Sequence, residues 1–538
     1  MKFKIRNIII AAAYAGLLLT GCKKEDFIDD NINPETLYDV PPANQFLNAT
    51  ISIHNTDFEW YYDLYRRIMP WMQMSTATNG NGKTFIEDAG NFNQRYGNFY
   101  VNVGNKLVDA NRLIDNLPAE EQPKYMNMKA INNILLAYYG FYVSDINGSI
   151  PFTEAFQARY GGTLTPKYDT QEELFNTFDA MLKESIGVLK TAHTVSQQSL
   201  GSYDLYYNGN PENWVKAANA LRLRLAMRYM KRDPNKMKTI ATEVLSSPAN
   251  ELMSSNADSW VLDVKASFAS GGNWSPEGFR APKATVDFML EKDDPRVRLF
   301  YQKNKWGQYV GSVASPDAAE SAQYSRLYTT TDTLSNLQYR LFQASYNGGT
   351  GINYFPVITF ADFAFMRAEL AARGVVGDNA EQWYNTGVTA SIKQYDQWAK
   401  DANIQERDAN GNWVNAYVPV TDAEIANYLS QPEVKYTPAI ALEQIAVQAY
   451  LNFFKQPNEA WALYKRTGYP NSSTVLAFER ILADGVEQFP PRRAPISIQA
   501  PTDLNYANNQ AAIAEMSKDP GFGQGPSDVF GRVWWDKN

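Results

Sequence analysis

Long stretches of the chain repeat an apolar residue every third or fourth position, the period of a helix with one buried face. In residues 91–117 these positions are Tyr96, Phe99, Val103, Leu107, Ala110, Ile114 and Leu117, and in 124–146 they are Met128, Ile131, Leu135, Tyr138 and Tyr142. Residues 170–190 open with Thr170 and Glu173 at capping-box spacing and continue with Leu174, Phe178, Met181 or Leu182, Ile186 and Leu189. Residues 210–232 start with Asn210 as a cap before Pro211, then show Trp214, Ala218, Leu221, Leu225 and Tyr229. A shorter helix follows at 234–246. Before all of these, the aromatic-rich segment 57–74 predicts a first helix that Pro70 ends at Met69. Modest connections between helices predict stacked helical pairs, a solenoid-like layout. No 34-residue repeat is visible in identity, so the pattern supports stacked hairpins without proving a tetratricopeptide unit.

The helical period breaks down over 247–354. Three aromatic-bearing loops lie there: 270–280 (SGGNWSPEGFR), 304–312 (NKWGQYVGS) and 343–354 (QASYNGGTGINY), with one helix expected within 283–300. So much irregular chain inside a compact body points to working loops. The period returns at Thr359 with Phe363, Met366 and Leu370. Asp378 and Glu381 are then expected to cap a helix with stripe Tyr384, Val388, Ile392 and Tyr395. Residues 437–454 are apolar nearly all round, which predicts burial on two sides, and 458–467 form a short partner helix. Residues 408–413 (DANGNW) read as a turn that lacks the remaining ligands of a calcium loop. The chain beyond 485 is rich in proline and asparagine.

The N-terminus changes the picture. Lys2, Lys4 and Arg6 precede an apolar run from Ile8 to Leu19, too short for a stable membrane anchor. Leu19-Thr20-Gly21-Cys22 resembles the lipobox of bacterial lipoprotein signal peptides, which implies a signal over 1–21, cleavage before Cys22 and acylation of that residue. Cys22 is the single cysteine of 538 residues. Lys24-Glu25-Asp26 resembles the signal that sends lipoproteins of Bacteroidetes to the outer leaflet of the outer membrane. Residues 22–45 then read as a lipidated tether and 46–538 as a single body, with helical scaffold at about 91–246 and 359–484 and a loop-rich region at about 247–354. Acyl chains at about 0.8 kcal/mol per buried methylene hold such a chain to a membrane without a spanning helix.

Composition narrows the chemistry. The formal net charge is −8, and removing Lys2, Lys4 and Arg6 with the signal leaves −11, which disfavours nucleic acid and anionic membrane surfaces. With Cys22 acylated, no disulfide framework or thiolate metal site is possible. The two histidines, His54 and His193, exclude a multi-histidine metal site and disfavour a His-based triad. No GxSxG, HExxH or P-loop is present, so neither cofactor nor catalytic residue is predicted. The 33 Tyr, 27 Phe and 12 Trp dominate the composition, and helix-stripe aromatics such as Trp214, Tyr138, Tyr142 and Trp383 are expected in the core.

Four segments carry a family resemblance: residues 29–34 (DDNINP), 360–370 (FADFAFMRAEL), 459–470 (Glu459-Ala460-Trp461 and then KRTGYP) and 491–495 (PRRAP, with Ile496 where the family pattern continues toward Tyr-Pro). Together they resemble the SusD/RagB family of nutrient-binding outer-membrane lipoproteins, with the Trp461–Pro470 segment the most specific. The resemblance implies a mainly α fold: tetratricopeptide-like stacked helix pairs as scaffold, with long irregular ligand-binding loops. It implies a SusC-like TonB-dependent β-barrel as partner, over which the lipoprotein acts as a lid that captures nutrient. It also implies that Trp461, Arg466 and Gly468 are scaffold.

A sugar offers apolar C–H faces and many hydroxyls, so its site needs exposed aromatic platforms beside short polar side chains. Trp71 with Gln73, Asn273 with Trp274, Trp306 with Tyr309, and Tyr346 with Asn347 have that make-up in loops. Three readings follow: a glycan-binding lipoprotein of an import complex, a peptide-binding one, and a surface hydrolase. A glycosidase would need two cleft carboxylates about 5–10 Å apart. Asp293, Asp294 and Glu277 are available, but no motif sets them apart.

Overall fold

The computed structural model describes residues 40–56, 59–77, 92–268, 276–330 and 332–537. Cys22, the lipobox, residues 24–26 and residues 29–34 lie outside them. Helices of nine residues or more are numbered here in chain order. They begin with α1 (Pro42–His54), α2 (Glu59–Ile68, a π-type helix), α3 (Gly104–Asp115), α4 (Met126–Asn147), α5 (Gln171–Lys190), α6 (Pro211–Arg228) and α7 (Pro234–Leu245). After the irregular stretch come α8 (Lys283–Glu291), α9 (Phe360–Ala372), α10 (Ala380–Asp401), α11 (Asp422–Ser430), α12 (Ala441–Asn452), α13 (Pro457–Thr467) and α14 (Tyr506–Met516).

The starts follow local chemistry. Thr170 forms the expected capping box with Glu173, and the Asn210 side chain accepts from the amides of Glu212 and Asn213 ahead of α6. Two expected boundaries move. The cap of α10 is Asn379, whose side chain accepts from the Gln382 amide. Asp378 instead pairs with Arg367 at 2.7 Å. Pro70 does not end the first helix at Met69. The π-type turns through Ile68 run directly into an α-helical turn, Met69–Trp71, which contains Pro70. Residues 42–45, read as tether, already belong to α1.

The helices stack as the period predicts: α3 on α4, α4 on α5, α5 on α6 and α6 on α7, with α1 against α3. A second stack holds α9 against α10 and α12, and α6 meets α9 where the two stacks join. Residues 42–538 form one compact unit. Trp214, Tyr142 and the α9 residues Phe363, Met366 and Leu370 are buried, whereas Tyr138 and Trp383 are half-buried. Helices α9 and α12 are buried nearly all round.

Short strands, some in the irregular stretch and some outside it, are present where the helical pattern could not show them. β1 (Thr76–Ala77) pairs antiparallel with β3 (Phe279–Arg280). β2 (Trp260–Lys265) pairs with β4 (Ile352–Ile358) through an irregularity between Trp260 and Val261. β5 (Gln405–Arg407) with β6 (Trp413–Asn415), and β7 (Ile481–Ala483) with β8 (Val486–Gln488), are short hairpins.

A set of buried charges ties the stacks together. Arg224 and Arg228, one turn apart on α6, reach three acids on three other helices. Arg224 pairs with Asp362 of α9 and donates to the Val357 carbonyl at 2.7 Å. Arg228 bonds Asp145 of α4 at 2.9 Å and Glu459 of α13 at 2.9 Å. Nearby, Arg466 of α13 grips Glu369 of α9, with one bond of 2.6 Å, and Arg373 reaches the same carboxylate. Lys465 lies 3.9 Å from the Trp461 ring centre and 4.7 Å from that of Trp535, while Arg228 lies 5.1 Å from the Trp535 ring. Burial disfavours the charged form of Glu369, but the Arg466 and Arg373 guanidiniums outweigh it and hold its pKa at about 2.

Two outcomes follow from this node. Arg228→Leu leaves Asp145 buried without its guanidinium and Glu459 with only the 3.5 Å contact to Arg224, so stability measured by urea unfolding should fall by about 3–5 kcal/mol. Glu369 ionises at about 2 in the fold against an ordinary 4.5, so its contribution is full above pH 4.5 and is lost as pH drops toward 2. Between pH 6 and pH 3 the wild type should lose about 2 kcal/mol more than Glu369→Gln.

Candidate functional site

Residues of three separated segments meet around the β5–β6 hairpin. The hairpin directly follows α10, and its turn is built by Asp408, whose carboxylate accepts from the amides of Asn410 (2.9 Å) and Asn412 (2.8 Å). The expected turn is therefore present, and its acid is spent on the backbone. Arg407 and Trp413 face each other across the strands, with the guanidinium 4.6 Å from the indole ring centre.

The second segment is 339–349. Tyr346 lies 5.7 Å from Trp413 edge-on and 4.8 Å from Tyr339, and Tyr339 is 6.4 Å from Trp413, so the three rings form one cluster. Asn347 takes the left-handed conformation (φ 51°) and donates to the Gln405 side chain at 3.2 Å. Arg340 holds this loop from beneath with 3.0 Å bonds to the carbonyls of Tyr346, Asn347 and Asn403. Gly349 is required here, because a Cβ would fall 2.0 Å from the Ala344 carbonyl.

The third segment is Glu277–Arg280. The Glu277 carboxylate accepts from the Tyr346 hydroxyl at 2.9 Å, and its backbone carbonyl accepts from Tyr339 at 3.3 Å. Burial, then the bond to Glu277, push the Tyr346 phenol up to about 12, so it remains a proton donor. Arg280 follows in β3, which is held to Thr76–Ala77. The surface thus presents aromatic edges, a carboxylate, an amide and guanidiniums on loops carried by a rigid helical body.

The sequence-predicted residues divide. Tyr346 and Asn347 lie in this cluster. Tyr309 borders it: half-buried, it lies 6.0 Å from the Lys303 ammonium, which pairs with Glu406 of β5 at 3.4 Å. Trp306 is 56% exposed, its loop held by the Asn304 side chain, which accepts from the amides of Trp306 and Gln308. Asn273 and Trp274 lie outside the described residues, three and two positions ahead of Pro276. Trp71 and Gln73 are corrected as surface platforms. Trp71 is 3% exposed and packs on Phe92 at 5.0 Å and Trp461 at 5.3 Å. The Gln73 amide donates to the Glu479 carbonyl at 2.8 Å and accepts from its N–H at 2.9 Å, an interior brace. Trp413, Arg407, Tyr339 and Arg280 were not singled out in the sequence. The signal that could have found Trp413 was an Asn-Gly turn between alternating residues, which marks a hairpin.

The acids weighed for hydrolysis have other employment. Asp294 is fully buried in a two-pronged pair with Arg296 at 2.7 Å, Asp293 accepts from the side chains of Asn427 and Gln431, and Glu277 bonds Tyr346. Among the described residues no group of His, Cys, Asp and Glu could hold a metal ion, and no helix is long and apolar enough to cross a membrane.

Comparisons with known proteins bear on the family and the fold. The family model SusD-like_2, described as starch-binding associating with outer membrane, matches residues 34–493. Among curated proteins no match is found. Solved structures of similar fold include a chitin-binding protein (22% identity, TM-score 0.69, covering 92% of this chain and 100% of that one). They also include a SusD homologue from Bacteroides fragilis (20%, 0.67, 93% and 100%) and a chitin-binding SusD homologue from Flavobacterium johnsoniae (22%, 0.62, 92% and 98%). At such identities these likenesses concern the fold, a mainly α body of tetratricopeptide-like helix pairs. The family match, extending over most of the sequence, establishes that this chain belongs to the SusD-like family of proteins associated with the outer membrane.

Proposed function

We propose that the protein is a cell-surface lipoprotein, anchored through Cys22, that binds oligosaccharide and delivers it to a SusC-like TonB-dependent β-barrel transporter. The observation that carries the ligand reading is the half-buried pair Tyr346 and Trp413, backed by the buried Tyr339 and ringed by Glu277, Arg280, Arg407 and Asn347. Aromatic faces receive the C–H face of a sugar ring, and the charged and amide groups meet its hydroxyls. Tyr309 borders the same surface through Lys303 and Glu406, and Asn273, Trp274 and Trp306 remain further candidates by their residue type. The family description and the chitin-binding names of two similar structures support a glycan over a peptide. The role is binding rather than catalysis, because the carboxylates nearest this surface are committed to structural partners.

Calorimetry against a panel of malto-oligosaccharides, chito-oligosaccharides, plant-wall oligosaccharides and peptides tests the reading. Trp413→Ala should weaken the best glycan ligand by roughly thirtyfold, about 2 kcal/mol for a central aromatic contact, with unfolding temperature unchanged. Binding of peptides alone, or glycan binding indifferent to Trp413→Ala and Tyr346→Ala, would refute it. For the anchor, radiolabelled palmitate should label the wild type and leave Cys22→Ser unlabelled; label retained on that variant would refute lipidation at Cys22.

A further inference from the structure

A cavity of about 430 Å³ lies along the C-terminal half of α10, and no residue of the β5–β6 hairpin lines it. Its size falls in the range of ligand pockets, about 300–1,000 Å³. Four elements wall it: the loop before α6 (Tyr206, Tyr207), the start of β2 (Ser259, Val261, Asp263), Tyr354 of β4, and Gln394, Gln397 and Trp398 of α10. Tyr354 is stacked on Trp398 at 5.3 Å and tied to Asp401 by its hydroxyl at 2.6 Å, so the aromatic wall is fixed.

The polar groups of the wall have unspent hydrogen-bonding capacity. Gln394 is only 5% exposed, and its side-chain oxygen has no partner. Asn256 donates its amide nitrogen to the Ala390 carbonyl at 3.0 Å, which fixes its orientation and leaves its oxygen unpaired. Gln397 uses its nitrogen on Asp401 at 2.7 Å and keeps its oxygen. Ser259 accepts from the Phe360 amide at 2.9 Å and keeps its proton. A half-turn of the Gln394 amide exchanges its oxygen and nitrogen, so that side chain can offer either group. Buried polar groups without partners are uncommon and costly, and two beside one cavity, on Gln394 and Asn256, ask for a cause.

Charge then selects the ligand. The cavity is bordered by one carboxylate, Asp263, and one ammonium, Lys393, which is already paired with Asp422 at 2.9 Å. An anion would meet no free cation among the described lining residues, and a cation only the exposed Asp263. Carboxamides and a hydroxyl between aromatic and aliphatic walls match a neutral ring whose hydroxyls both donate and accept. We propose that this cavity is a second carbohydrate pocket, holding one neutral sugar residue, independent of the aromatic surface around Trp413.

The full mature chain carrying Trp413→Ala, which weakens the first surface by roughly thirtyfold, provides the test. Saturation-transfer NMR with methyl β-D-glucopyranoside and N-acetyl-D-glucosamine at millimolar concentration should show transfer to at least one. Val261→Phe, which fills the cavity, should abolish that transfer, and Gln394→Leu should weaken it tenfold or more. Gln394→Leu removes a buried unpaired oxygen, so its unfolding temperature should stay level or rise, which a purely structural glutamine would not allow. Glucuronate should bind at least tenfold more weakly than the neutral sugars. No transfer from either neutral sugar, transfer indifferent to Val261→Phe and Gln394→Leu, or equal binding of glucuronate would overturn the proposal. Because the background lacks Trp413, failure here is distinguishable from failure of the first site.

Discussion

The placement of two arginines on α6 is the constraint on which the two helical stacks depend. Arg224 and Arg228 are buried with their acids drawn from α4, α9 and α13. A buried guanidinium is tolerable only when its bonds are met, so each of those helices must arrive at one angle and one height. The segments that carry the family resemblance are the other half of this arrangement. Asp362 and Glu369 belong to 360–370, while Glu459, Lys465 and Arg466 belong to 459–470. Trp461 donates its indole N–H to the Pro491 carbonyl at 2.7 Å, which brings in the fourth segment. Motifs separated by a hundred residues thus recur together because they meet in one small volume.

Such a rigid frame lets the loops differ in purpose from the helices. Arg340 spends its three guanidinium nitrogens on main-chain carbonyls and so fixes where Tyr346 and Asn347 stand. Little ordering is then left for a ligand to impose, which favours affinity. The β5–β6 hairpin, springing from the end of a 22-residue helix, adds Trp413 and Arg407 to the same surface.

Helices were legible because burial on one face leaves a period in the sequence. The stripe Tyr384, Val388, Ile392 and Tyr395 is buried throughout, as the spacing requires. Most of the strands were not legible, because two- and three-residue pairings such as Thr76–Ala77 with Phe279–Arg280 leave no run long enough to show alternation, and the longer Ile352–Ile358 carries Pro356 and is buried on consecutive residues rather than alternate ones. The candidate site was half visible. Tyr346 and Asn347 stood out in a glycine-rich loop, but their neighbours come from other segments, and proximity across sixty residues is a property of the fold. Trp71 misled for the same reason: nothing local tells a tryptophan that stacks on Trp461 from one that faces water.

The spacing of the charges also has a kinetic side. Arg228 and Glu459 are separated by 231 residues, and at a ribosomal elongation rate of roughly 5–20 residues per second the arginine precedes its partner by about 10–50 s. Trp535, whose indole donates to the Asp145 carbonyl at 2.9 Å across 390 residues, comes later still. Throughout that interval the early helices carry guanidiniums that cannot be desolvated, so they stay loosely associated. Closure of the ionic core is therefore one of the last events in the making of this chain, and a truncation that removes only the final residues would leave the early helices without their lock.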